Sequence, residues 1–143
     1  MVKKSFLFLI FLAAIATFTA MAYSQTAKKT ITLPNGEVVW DLNGEWDVFV
    51  ENYGIWSSFG RGMDLAEVTQ QGSSFEGIRM MGTGSVQRGK VSIRGELEKN
   101  GFKKIQIYYI NGNFSDGKGQ ISEDGNRMII DDGEKFRVTY TRK

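Results

Sequence analysis

The chain has 143 residues, no cysteine and no histidine. That is enough for one domain, but it lacks the main ligands of zinc and copper sites and the imidazole or thiol of Ser-His and Cys-His catalysis. The formal net charge is +2, yet without Lys3 and Lys4 the 18 basic residues fall to 16, level with the 16 acidic ones. A near-neutral domain has no charge-driven affinity for nucleic acid or for a membrane surface.

Residues 1–22 read as a secretory signal peptide. Lys3 and Lys4 form its basic start, Phe6 to Ala16 its apolar centre, and Ala20-Met21-Ala22 its small-x-small cleavage pattern. The apolar run is shorter than the roughly 20 residues of a spanning helix, so no stable membrane insertion is expected. No cysteine stands at the cleavage point to take a lipid. The expected location is secreted or periplasmic, after cleavage near Ala22.

Residues 23–43 read as an N-terminal lead-in holding a short hairpin. Thr30–Leu33 and Glu37–Trp40 are its arms, and Pro34-Asn35-Gly36 is its turn. Residues 44–143 read as the main domain. Its first strand, Gly44–Tyr53, alternates strictly: Trp46, Val48 and Val50 share one face, while Glu45, Asp47 and Glu51 share the other. The stretch 52–62 breaks the pattern by placing Ile55, Trp56 and Phe59 in a glycine-rich loop with room for one helical turn. These residues fold back as a plug on the core or form a lid over a cavity, since loops on a rigid scaffold often carry binding groups.

Met63–Gln70 follows, with Met63, Leu65 and Val68 as its apolar residues, although Asp64-Leu65-Ala66-Glu67 also suits a helix. Ser74–Met81 is the next strand, and Gly77 within it suggests a bulge. Gly89–Glu98 places Val91, Ile93 and Leu97 inward and Lys90, Ser92, Arg94 and Glu96 outward. Asn100-Gly101 turns the chain into Phe102–Ile110, where Ile105, Ile107 and Tyr109 share a face. Phe114–Ser122 is a glycine-rich strand. Arg127–Asp131 and Lys135–Thr141 complete the series, the last with Phe136, Val138 and Tyr140 on one face. Turns recurring every 8–12 residues or so indicate an all-β antiparallel fold. Nearly all the connections are hairpin-length, so the series is an up-and-down meander. Such a meander closes most naturally into a barrel of about 8–10 strands, which removes its exposed edges.

Gly44-Glu45-Trp46 at the head of the first long strand resembles the G-x-W signature of lipocalins and the wider calycin group. The resemblance implies a lipocalin-like barrel with Trp46 inside its closed end and a basic side chain from the last strand across the indole. Arg142, on the alternation of Phe136, Val138 and Tyr140, is the residue placed to stack there. The chain departs from the typical lipocalin in having no cysteine pair and no helix after the barrel, because it ends at Lys143.

No catalytic residues are expected. The carboxylate pairs Glu45/Asp47, Glu123/Asp124 and Asp131/Asp132 fall on the outer face or at turns. Asp124-Gly125-Asn126 and Asp131-Asp132-Gly133 lack the spacing of a calcium loop. No metal and no cofactor are expected. Two functional readings remain. One is a non-catalytic module that binds a small apolar ligand or acyl chain in the cup, with Trp46 as floor, Trp56 and Phe59 as rim, and Tyr109 and Tyr140 facing the ligand. The other is a cell-envelope structural or protein-interaction module with a filled core, whose partner meets an apolar wall patch of Phe49, Tyr108 and Ile110.

Overall fold

The computed structural model describes residues 29–82, 86–109 and 112–143. The signal-peptide reading of residues 1–22 and the placement of Ile110 lie outside the described residues.

A small sheet pairs β1 (Thr30–Thr32) with β2 (Val38–Trp40). The remaining strands are β3 (Gly44–Asn52), β4 (Arg61–Gln71), β5 (Ser74–Arg79), β6 (Val91–Glu98), β7 (Gly101–Tyr108), β8 (Phe114–Asp116), β9 (Lys118–Ile121), β10 (Arg127–Asp131) and β11 (Phe136–Arg142). They form one nine-stranded antiparallel sheet in the order β8-β7-β6-β5-β4-β3-β11-β10-β9. The sheet is nearly closed into a barrel. β8 and β9 are two halves of one run of chain that changes neighbour at Gly117: the first half pairs with β7 and the second with β10. The Gly117 N–H still reaches the Ile105 carbonyl of β7, at 3.0 Å. The first and last long strands are neighbours, with Trp46 opposite Arg142 and Asn52 opposite Phe136.

Call the end where β3 begins and β11 finishes the lower end. It is solid. Leu42, Trp46, Val48, Met128 and Ile130 are sealed from solvent, and each large side chain so buried contributes roughly 1.5–3 kcal/mol. The indole N–H of Trp46 donates to the Leu42 carbonyl at 3.0 Å, so its one polar atom is satisfied. The guanidinium of Arg142 covers the ring, its Cζ 4.3 Å from the ring centroid. Its amino groups donate to the carbonyls of Asn43, Asp41 and Gly125. Gly44 suits this position because its φ is +127°, a backbone conformation that side-chain-bearing residues rarely adopt.

The β1–β2 hairpin belongs to this plug. Val39 and Leu42 join the same buried cluster as Trp46. Gln70 fastens the exit of the hairpin, accepting from the Leu42 N–H at 2.7 Å and donating to the Trp40 carbonyl at 3.0 Å.

One inward face that the sequence left unassigned is settled, and another differs from the sequence reading. In β4 the buried residues are Asp64, Ala66 and Val68, while Met63 is exposed and Leu65 only half-buried. β3 sets this register by placing Trp46 opposite Ala66. In β6, Ser92 turns inward instead of outward. Gly77 pairs with Ile93 and Ile78 with Val91, so Ser92 is the extra residue of a bulge that brings both Ser92 and Ile93 to the inner face.

Trp46→Ala is expected to lower unfolding free energy by about 3–5 kcal/mol in urea titration, through lost burial and the cavity it leaves. Met63→Ala, at a side chain 66% exposed, should stay within about 0.5 kcal/mol of the parent.

Candidate functional site

The upper end is hollow. A cavity of about 650 Å³ opens there, lined by Val50, Trp56, Phe59, Met63, Arg79, Ser92, Ile93, Ile107, Tyr108, Tyr109, Phe136, Val138 and Tyr140, among others. That volume falls within the roughly 300–1,000 Å³ of small-molecule sites, and the mainly apolar lining with a few polar groups fits the same class.

The stretch between β3 and β4 forms a short 3₁₀ segment over Gly54–Phe59, called the 3₁₀ turn below, and β4 begins at Arg61, one residue beyond it. The turn is both plug and rim. Trp56 is half-buried: it stacks on Phe136 with centroids 5.8 Å apart and planes at 12°, and meets Tyr109 edge-on at 5.7 Å. Phe59 stands 6.1 Å from Trp56, and it remains exposed together with Ile55. The ammonium of Lys135 lies 5.7 Å from the Trp56 ring and 5.3 Å from the Tyr109 ring. Offset and edge-to-face contacts of this kind add about 0.5–1.5 kcal/mol each beyond burial.

The β10–β11 turn holds the 3₁₀ turn in place. The Tyr53 hydroxyl donates to Asp131, and the Tyr53 N–H donates to the Lys135 carbonyl at 2.7 Å. Gly54 lies against that same turn: its φ is +56°, and a Cβ would come within 2.5 Å of the Glu134 carbonyl oxygen. The Tyr109 hydroxyl donates to Asp132 at 2.5 Å, and Asp132 also accepts the N–H groups of Glu134, Lys135 and Phe136 at 2.8–3.1 Å. Asp131 accepts from the Gly133 N–H at 2.6 Å and from Arg137 at 3.0 Å. The Asp131/Asp132 pair is therefore a structural anchor, its oxygens filled by N–H and O–H donors.

Burial pushes both carboxyls up, but hydrogen bonds from Tyr53 to Asp131 and from Tyr109 to Asp132, with the backbone donors and Arg137, outweigh it and hold both below the ordinary carboxylate value. The tyrosines shift the opposite way. Burial, then the hydrogen bond to Asp131, pushes the Tyr53 phenol up to about 12. Burial, then the bond to Asp132, likewise raises Tyr109.

The floor of the cavity is polar. Arg79 and Asp64 are both buried, with Nη1 to Oδ2 at 3.6 Å. Asp64 also accepts the N–H groups of Leu65 at 2.7 Å and Met81 at 3.0 Å. The Arg79 Cζ lies 6.0 Å from the Tyr140 ring centroid. Ser92 donates to the Gly77 carbonyl at 3.2 Å, and its oxygen is 3.3 Å from the Tyr140 hydroxyl.

Of the ligand-facing residues expected from the sequence, Trp56, Phe59, Tyr109 and Tyr140 all line this cavity. Trp46 does not. It is sealed within the plug under Arg142, and the floor it was expected to provide is made by Arg79, Ser92, Ile93 and Tyr140. Sequence reasoning missed Arg79, Asp64 and Ser92. Asp64 and Arg79 stand at inward positions counted from Ala66 and Phe75, which is the one signal that could have found them; Ser92 is hidden by the bulge. The expected wall patch also moves. Phe49 and Tyr108 are half-buried, while Ile55, Phe59, Met63, Met80 and Met81 are exposed. Phe59 and Met63 among these line the cavity.

Because Asp131 and Asp132 titrate lower in the folded protein than in the unfolded chain, they stabilise it above the unfolded value of about 3.9, and that contribution is lost as pH falls through their folded values. The melting temperature of the parent should therefore exceed that of Asp131→Asn/Asp132→Asn at pH 7, with the gap shrinking from about pH 5 downward. A gap independent of pH would contradict this anchoring role.

No protein-family model matches this chain, nor does any curated protein or solved structure.

Proposed function

We propose that the protein is an exported, lipocalin-like, non-catalytic module that carries a small apolar ligand or acyl chain in its upper cup. The observation that carries this reading is the cavity of about 650 Å³ whose walls are chiefly aliphatic and aromatic and whose rim bears the exposed Phe59 and Met63. Eight or so strands enclose an interior that side chains can fill or that holds one small ligand. In this barrel the plug occupies the lower end and leaves the upper end for a guest. Trp56, Tyr109 and Phe136 form a preordered aromatic wall, so little side-chain freedom remains to be lost when a chain lies against them. Export follows from the leader-like residues 1–22.

The second reading is a cell-envelope interaction module. It is supported by the same rim: Phe59 and Met63 are each more than half exposed there, and exposed apolar patches mark sites of contact. It differs in what leaves water on binding, a protein surface against the rim instead of a chain within the cup.

Titration of the protein lacking residues 1–22 with a fluorescent fatty acid tests the first reading. Saturable binding with a change in tryptophan emission is expected, and the change should vanish in Trp56→Phe, because Trp56 lines the cup while Trp46 is sealed away from it. Binding that leaves the emission of Trp56 untouched would place the ligand elsewhere.

A further inference from the structure

We propose that the outer wall over the β3–β11 seam docks a second copy of this chain, the two related by a two-fold axis that runs along the seam. This surface lies outside the barrel and is independent of what the cup holds.

Strand pairing arranges the outer side chains of β10, β11, β3 and β4 in rows that cross the wall. Where one face of an antiparallel sheet meets water, its outward positions are ordinarily polar. The middle row here is Ile129, Thr139, Phe49 and Met63, register partners in that order. It carries no charge. Thr139 stands between the inward Val138 and Tyr140 and so faces outward, yet it is only 9% exposed, and its neighbours Ile129 and Phe49 are half-buried. Leu65 and Met80 prolong the apolar surface, joined through the Met80 N–H and the Leu65 carbonyl at 2.8 Å.

The row above, toward the cup, is Asp131, Arg137, Glu51 and Arg61. Its charges alternate in sign, and all four side chains line one groove on the outer wall. Arg137 holds Asp131 at 3.0 Å and Arg61 holds Glu51 at 3.5 Å, which keeps each charge at its place in the row. Lys118, the partner of Asp131 on β9, continues the alternation.

A two-fold interface presents the same patch from both sides, so the patch must complement itself. An alternating row of four charges does so when it is reversed end to end. An axis along the seam lays β3 of one copy over β11 of the other, and β4 over β10. Across the interface Glu51 then meets Arg137, Arg61 meets Asp131, Phe49 meets Thr139 and Met63 meets Ile129. In the row below, Asp47 falls on Thr141 and Leu65 on Arg127, so no like charges are opposed. Sheets packed face to face keep their strands within about 30° of one another, which preserves this correspondence near the axis. Because the axis runs along the strands, both cups open toward the same side.

Sedimentation velocity of the protein lacking residues 1–22, from roughly 1 μM to 1 mM, reads the association. The parent should pass from monomer to dimer within that range. Glu51→Arg sets a second cation over Arg137, and Arg137→Glu sets a second anion over Glu51. Each variant alone should associate roughly tenfold more weakly or worse. Mixed in equal amounts, the two variants should dimerise again, because each then offers the other the opposite charge at both positions. Met63→Lys places a cation against Ile129 and should also weaken the dimer roughly tenfold; it serves if a charge variant loses its far-ultraviolet circular dichroism. A parent that stays monomeric throughout the range, variants that dimerise as tightly as the parent, or a mixture no more associated than its components overturns the proposal.

Discussion

The contact between Arg142 and Trp46 joins the beginning of the barrel to its end. Trp46 sits on the first long strand and Arg142 on the last, and the two are register partners across the β3–β11 seam. The cation over the indole face is worth about 0.5–2 kcal/mol by itself. Its larger effect is geometric. Three carbonyls from the approaches to β3 and β10 converge on the same guanidinium, so the lower end is held by one side chain with several partners. A sheet whose two halves of a kinked strand, β8 and β9, bridge the opposite seam through Gly117 then has little freedom to open.

From that closed end the interior changes character along its axis. Below, the hairpin of β1 and β2 adds Val39 and Leu42 to Trp46, Val48, Met128 and Ile130, and the space is filled. Above, Val50, Phe136 and Tyr109 continue the same inward alternation but face a cavity, because the 3₁₀ turn crosses to one side and its Trp56 stacks on Phe136 instead of reaching down into the barrel. The Asp131 and Asp132 carboxylates brace that turn and the wall beside it by accepting hydrogen bonds from the hydroxyls of Tyr53 and Tyr109. The opening is thus supported by hydrogen bonds made outside it.

The pair Asp64–Arg79 is costly on physical grounds. Desolvating two charges is only partly offset by their attraction, and well-packed apolar residues in their place are often as stabilising or more so. Here the pair lies where filled core gives way to open cup.

The sequence by itself determined the antiparallel meander, its turns, and the inward set of β3, β7 and β11, because period-2 alternation records which side of a strand meets water. The resemblance carried by Gly44-Glu45-Trp46 also implied a basic side chain over Trp46, and alternation along the last strand singled out Arg142. Tertiary structure alone decided the rest. The register between β3 and β4 turned Asp64 inward and Met63 out, and an extra residue in β6 brought Ser92 into the barrel. Neither leaves a mark in hydropathy, because a polar residue at a buried position reads as a polar residue at an exposed one. The division of the interior into plug and cup, and the meeting of Arg79 with Tyr140 and Ser92 at its floor, depend on where strands far apart in the chain come to lie side by side.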